Sequence, residues 1–173
     1  FDGVNVTIAT VVVLILFTFL AILGIGESAF VAVIIFVTHL TTLSLLVLAS
    51  LLYIAMNGVD VFHLNWQAPI AFGNLKTALF LGFSAAMLGI SGFESSANFV
   101  EEQETGVFPK TLRNMWAIVS FFNPVIAILI IGVIPLAQVG ENKESLLAFL
   151  GQTTGGSWLA WLISIDAVLV LCR

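Results

Sequence analysis

Residues 29 to 56 run without a single Asp, Glu, Lys or Arg. A helix needs about 20 apolar residues to cross the hydrocarbon core of a bilayer, so this stretch is long enough to cross at a tilt. Inside lipid no water pairs with free backbone N–H and C=O groups, which leaves helices and closed barrels as the only spanning forms. A barrel strand is only about 9–11 residues long, so a run of this length is a helix. That segment fixes the solvent for the rest of the chain. Only 9% of the 173 residues are charged and 60% are hydrophobic, against about 25% and about 45–50% in soluble domains. A soluble domain of this size still exposes roughly 30% of its unfolded surface, and this composition lacks the polar groups to cover it. A soluble enzyme, a disordered tail and a nucleic-acid binder are therefore excluded; five Lys and Arg cannot track a phosphate backbone. The single cysteine, Cys172, excludes a disulfide framework and a multi-cysteine metal site. No cofactor or metal is expected.

Charges punctuate the remaining sequence. Five membrane-crossing helices are predicted at about residues 4–23, 29–56, 77–99, 115–138 and 158–172, giving an all-α, multi-pass integral membrane protein with one transmembrane domain. The first block follows Asp2 and has no basic n-region, so it is not a signal peptide. Gly24-Ile25-Gly26-Glu27-Ser28 and Asn57-Gly58 read as turns. Asp60, His63, Asn65, Trp66, Gln67 and Pro69 read as an interfacial loop. Residues 101–113 are the most polar stretch, and residues 143–150 read as a short helix lying at the interface. Trp66, Trp116, Trp158 and Trp161 fall in loops or near span ends, where amphipathic rings sit. Lys110, Arg113 and Arg173 lie on one side, Lys76 and Lys143 on the other, which favours the loop after the third span as cytoplasmic. The chain opens on Phe1, and its last apolar run stops at Arg173, short of a full crossing. The expectation is a segment of a longer protein, rather than a small five-span protein whose last helix is short.

The net charge of −5 carries little information about partners, because most of the acids lie in loops or at span ends. The acids within spans are the informative ones. In the third span, Gly89 and Gly92 flank Ile90 and Ser91 and weaken the helix midway, so a break is expected near residues 89–92. Broken helices are tolerated at membrane depth only against protein or a water-filled cavity, and in transporters their half-helix ends form ligand sites. Free carbonyls near Leu88, Gly89 and Ile90 suit an ammonium group, and free N–H groups from Gly92 to Ser95 suit an anion. Glu94 lies roughly 10 Å inside the polar boundary at 1.5 Å per residue, a depth at which a carboxyl must be paired, hydrated or protonated. Ser91, Glu94, Ser95, Asn98, Glu101 and Glu102 recur at helical spacing and form one polar stripe. The plainer reading makes the small residues a packing surface and Glu94 an interhelical hydrogen-bond donor.

Asp166, in the fifth span, is the second acid at depth. It either carries a proton or helps hold a cation, with Ser164 nearby, or is a structural acid bonded to a helix outside this chain. His39, among Thr38, Thr41 and Thr42, reads as a polar packing site in preference to a proton relay. Pro124, after Asn123, removes one helix hydrogen bond and is expected to kink the fourth span near Ser120, for packing rather than gating. Pro135 is expected to end that span.

Taken together these residues resemble the amino acid–polyamine–organocation superfamily of transporters. Gly89-Ile90-Ser91-Gly92-Phe93-Glu94-Ser95 is similar to that family's broken sixth helix. Glu101-Glu102, Pro109-Lys110 and the return into Met115-Trp116 are similar to the cytoplasmic loop after it. The resemblance runs along the whole chain in span order, and its specific motif occupies the third span and the following loop. It implies a partial leucine-transporter-type bundle of inverted repeats, the five spans being the fourth to eighth helices of a usual twelve. It implies transport of amino acids or related amines, by proton coupling or exchange. The substrate would lie at Leu88, Gly89, Ile90, Ser91, Gly92 and Phe93, its amino group on the carbonyls of the break and its carboxylate on a glycine-rich break in the first helix. Glu94, Asn98 and Asp166 are the candidates for coupling or gating. Where many members carry an aromatic gate six residues before the Glu, this chain has Leu88.

The function expected is thus secondary active transport of an amino acid across a membrane, with a coupled proton or cation as possible partner and no enzymatic reaction. The competing reading is a non-transporting membrane scaffold subunit, whose polar stripe would pack dry against another helix. An intramembrane hydrolase built on Glu94 and Asp166 would need metal-ligand spacing or a paired-Asp signature, and the sequence has neither.

Overall fold

The computed structural model describes residues 29–70, 73–88 and 104–171, together with Ile8, Val11, Val12, Leu14, Ile15, Thr18 and Phe19. Among the described residues the elements are all α-helices: α1 (Ala29–Asn57), α2 (Asp60–Trp66), α3 (Leu75–Leu88), α4 (Val107–Val133), α5 (Leu136–Glu141), α6 (Leu146–Gly155) and α7 (Ser157–Leu171). Two of them, over Val33–Asn57 and Val107–Val133, are long and apolar enough to cross a membrane. Two hydroxyls of α1 are satisfied by the helix itself. Thr41 donates to the Val37 carbonyl at 2.7 Å and Ser44 to that of Leu40 at 2.7 Å, the four-back bond by which a helix absorbs Ser and Thr.

The chain divides into two units, residues 1–53 with 142–173, and residues 54–141. The second is organised by α4. This helix starts at Val107, within the polar stretch read from sequence as a loop and ahead of Met115. Gly106 makes the entry turn at φ 85°, a left-handed conformation in which glycine meets no steric penalty. Pro109 then falls in the first turn, where its missing N–H removes no helix bond. Pro124 lies inside α4, which continues on both sides of it. The helix ends where Ile134 turns extended, at φ −110° and ψ 126°, because the ring of Pro135 disfavours helical geometry in the residue before it. Near this end the space beside Gly132 belongs to Ile54: a β-carbon on the glycine would stand 3.0 Å from Ile54 Cδ1.

In the first unit α6 and α7 form a tight hairpin turned at Gly156, φ +82°. Glycines set the approach. A β-carbon on Gly151 would stand 2.5 Å from Ile163 Cδ1, and one on Gly155 2.6 Å from Leu159 Cδ2. Close approach through small residues is how helices pack when lipid is as apolar as their side chains. Leu150, Leu159 and Ile163 are buried in this seam. Elsewhere in this unit polar groups are buried beside Leu46 while large apolar side chains stay exposed. Thr42, Ser50 and Asp166 are buried, while Val33, Ile34, Phe36 and Leu51 are exposed.

Candidate functional site

The third-span motif is reached only at its edge. α3 carries the chain to Leu88. Gly89, Ile90, Ser91, Gly92, Phe93, Glu94 and Asn98 lie outside the described residues.

Asp166 is fully described. It sits roughly 13 Å along α7 from Ser157, at 1.5 Å per residue. Its side chain is only 5% exposed. Its Oδ2 lies 2.7 Å from Nδ1 of His39 on α1, 127 residues earlier in the chain. That distance is typical of a charge-assisted hydrogen bond. The partner of Asp166 is therefore on this chain, and His39 pairs with a carboxylate. Ser164, the polar neighbour in sequence, spends its hydroxyl on the Ala160 carbonyl at 2.8 Å. Thr41, beside His39, bonds its own helix.

The two halves of the pair differ in access. His39 keeps 35% of its side chain exposed. The second carboxylate oxygen, Oδ1, is buried and has no hydrogen-bond partner among the described residues. A carboxylate with one oxygen bonded and one bare is costly at membrane depth, so such a group usually serves a pathway or a proton relay. Chemically the pair can do one thing well. Neutral imidazole donates from Nδ1 to the carboxylate, and a second proton, arriving at Nε2, makes the pair electrically neutral overall. Among the described residues no group of three or more His, Cys, Asp or Glu is placed to hold a metal ion.

A cleft of about 260 Å³ opens beside the α6–α7 hairpin, lined by Ser145, Phe149, Gln152, Ser157, Trp161 and Ser164. Gln152 Nε2 donates to Ser157 Oγ there in a long bond of 3.4 Å.

A residue that sequence reading treated only as interfacial proves to organise the second unit. Asn65, on α2, is buried. Its Nδ2 donates to the carbonyls of Ile131 at 2.7 Å and Ile134 at 2.8 Å, and its Oδ1 accepts from the Leu136 N–H at 3.0 Å. In a continuing helix the Ile131 carbonyl would accept from residue 135, but proline has no N–H to give. Asn65 supplies the missing donor. The signal in the sequence was Pro135 itself, which leaves an acceptor that some other group must satisfy.

Three comparisons with known proteins bear on this geometry. The family model described as "Amino acid permease" matches residues 3–173. The branched-chain amino acid permease BcaP of Bacillus subtilis (strain 168) is 31% identical over 162 residues, covering 91% of this chain and 32% of that protein. The chain thus spans about a third of the length of the relative it matches. No solved structure matches.

Proposed function

The chain belongs to the amino acid permease family, and on that premise we propose that the whole protein is a secondary active transporter of amino acids or related amines. The observation that carries this is the extent of the match, which takes in every predicted span and the motif of the third. An all-α integral membrane protein of this family has no reaction to catalyse. Its task is to bind a zwitterion on one face of the bilayer and release it on the other.

The substrate site lies at the break of the third span. There the carbonyls of Leu88, Gly89 and Ile90 receive the amino group, while Ser91, Gly92 and Phe93 shape the rest. Carbonyl ends suit a cation because the unpaired C=O groups of a helix terminus carry partial negative charge. Glu94, Asn98 and Asp166 serve coupling or gating, and alternating access comes from one helix bundle rocking against another. The relative's name makes leucine, isoleucine and valine the first substrates to try.

The test is uptake of radiolabelled leucine by the full-length protein in liposomes. Gly92→Leu, which fills the break, should abolish substrate binding; retained affinity would place the site elsewhere. Wild-type liposomes that take up no amino acid would favour the scaffold reading.

A further inference from the structure

We propose that His39 and Asp166 form one proton-bearing site, joining α1 to α7, whose loading is coupled to substrate movement; the assay, though not the chemistry, rests on the transport reading above. The site stands on the 2.7 Å contact between Nδ1 and Oδ2, and on the difference in exposure between the two side chains. Among the described residues Asp166 is the closed member of the pair and His39 the open one, with a third of its imidazole accessible, so the proposal gives His39 the role of exchanging the proton.

No other described charge in the neighbourhood settles the pair. The titratable groups of α1 are His39 and Tyr53, α7 has Asp166 alone, and α6 has none. Unloaded, the pair is a neutral imidazole donating to a carboxylate and carries one negative charge. Loaded, one further proton resides at Nε2 of His39 and the pair has no net charge. If α1 and α7 then separate, the proton on Nδ1 passes to Oδ2, leaving a neutral acid on α7 and a neutral imidazole on α1. Separation without that proton strands a bare carboxylate in a low-dielectric setting, which is strongly disfavoured. Helix movement and proton occupancy are thereby linked.

Among the described residues a metal cation fits less well. A hard cation takes a shell of about six oxygens, and the pair offers only Oδ1 of Asp166. The Ser164 hydroxyl is already committed.

The experiment uses the full-length protein in liposomes with the membrane potential clamped at zero and a one-unit pH gradient, acid outside. With one proton per substrate, such a gradient drives about tenfold accumulation of leucine, since about 1.4 kcal/mol is a factor of ten. His39→Gln and Asp166→Asn should each lose accumulation while leucine exchange, which needs no net proton movement, persists. The double variant should be no worse than either single one, as expected for two groups acting as a unit. Undiminished accumulation in either variant, or wild-type accumulation that follows a sodium gradient and ignores pH, overturns the proposal. Should the variants fail to fold, the wild-type protein decides. Its His39 imidazole nitrogen-15 resonances, assigned through the neighbouring Thr38 and Leu40, must report a proton arriving at Nε2 as the medium is acidified. Unchanged resonances overturn the proposal. A wild-type protein that neither accumulates nor exchanges any amino acid removes the transport reading instead, and the same spectra still decide the proton site.

Discussion

Deleting the Asn65 side chain should loosen the seam between α2 and the end of α4. Asn65→Ala removes three hydrogen bonds, those to Ile131 and Ile134 and the one from Leu136 N–H. One such bond contributes about 0.5–1.5 kcal/mol net, and a buried partner left unsatisfied costs about 1–3 kcal/mol. The bond to Ile134 is buried, whereas those involving Ile131 and Leu136 are part-buried and open to water, so the loss expected is about 2–3 kcal/mol. Asn65→Asp is the sharper perturbation. It keeps the volume and the acceptor for Leu136, yet turns a carboxylate oxygen toward two backbone carbonyl oxygens. It should therefore destabilise at least as much as Asn65→Ala, although it is the closer match in shape. Reversible unfolding of the full-length protein in mixed micelles, titrated with dodecyl sulfate, gives both values. If Asn65→Asp proves as stable as wild type, packing and not donation is the role of this residue, and the capping argument fails.

Gly151→Val should destabilise by about 1–3 kcal/mol in the same assay, since its β-carbon meets Ile163 Cδ1 at 2.5 Å in a buried seam. Gly140→Ala, where nothing stands within 4 Å, should instead be neutral or stabilising by up to about 1 kcal/mol, and the opposite ranking would refute the seam. Ser50→Ala should not destabilise, because the Ser50 hydroxyl is buried with no hydrogen-bond partner among the described residues; a loss above about 1 kcal/mol would reveal a partner. Glu94→Gln should alter the pH dependence of leucine uptake, and an unchanged profile would remove Glu94 from coupling.

The helical class was legible because lipid leaves a chain so few options. A run free of formal charge from residue 29 to 56 can only be helical, and α1 covers it. The start of α4 was less legible. Polar residues at a membrane surface are compatible with loop or helix alike, and the deciding signals, Gly106 and Pro109, are local caps set among charges that drew attention elsewhere. The contact between His39 and Asp166 was the least legible. Each residue is conspicuous alone as an ionisable group within an apolar run, but 127 residues separate them. Along α1 and α7 apolar side chains face lipid and protein neighbours alike, so sequence periodicity gives little sign of which faces meet. Asn65 was hidden for a different reason. Its partners are backbone groups, and only the missing N–H of Pro135 marks them in the sequence.

Adhesion is a poor explanation for the His39–Asp166 contact. Replacing a buried pair with well-packed apolar groups is often neutral or stabilising, since desolvation offsets most of the attraction. The first unit already has a stronger seam in the α6–α7 hairpin, where Gly151 and Gly155 let Ile163 and Leu159 approach closely. Among the described residues His39 and Asp166, by contrast, leave one carboxylate oxygen without a partner and one ring partly open. A pair built to hold helices would satisfy both oxygens and exclude solvent from the imidazole. One built to exchange a proton needs a protected acid, a reachable base and a direct bond between them, and those are the three properties this pair has.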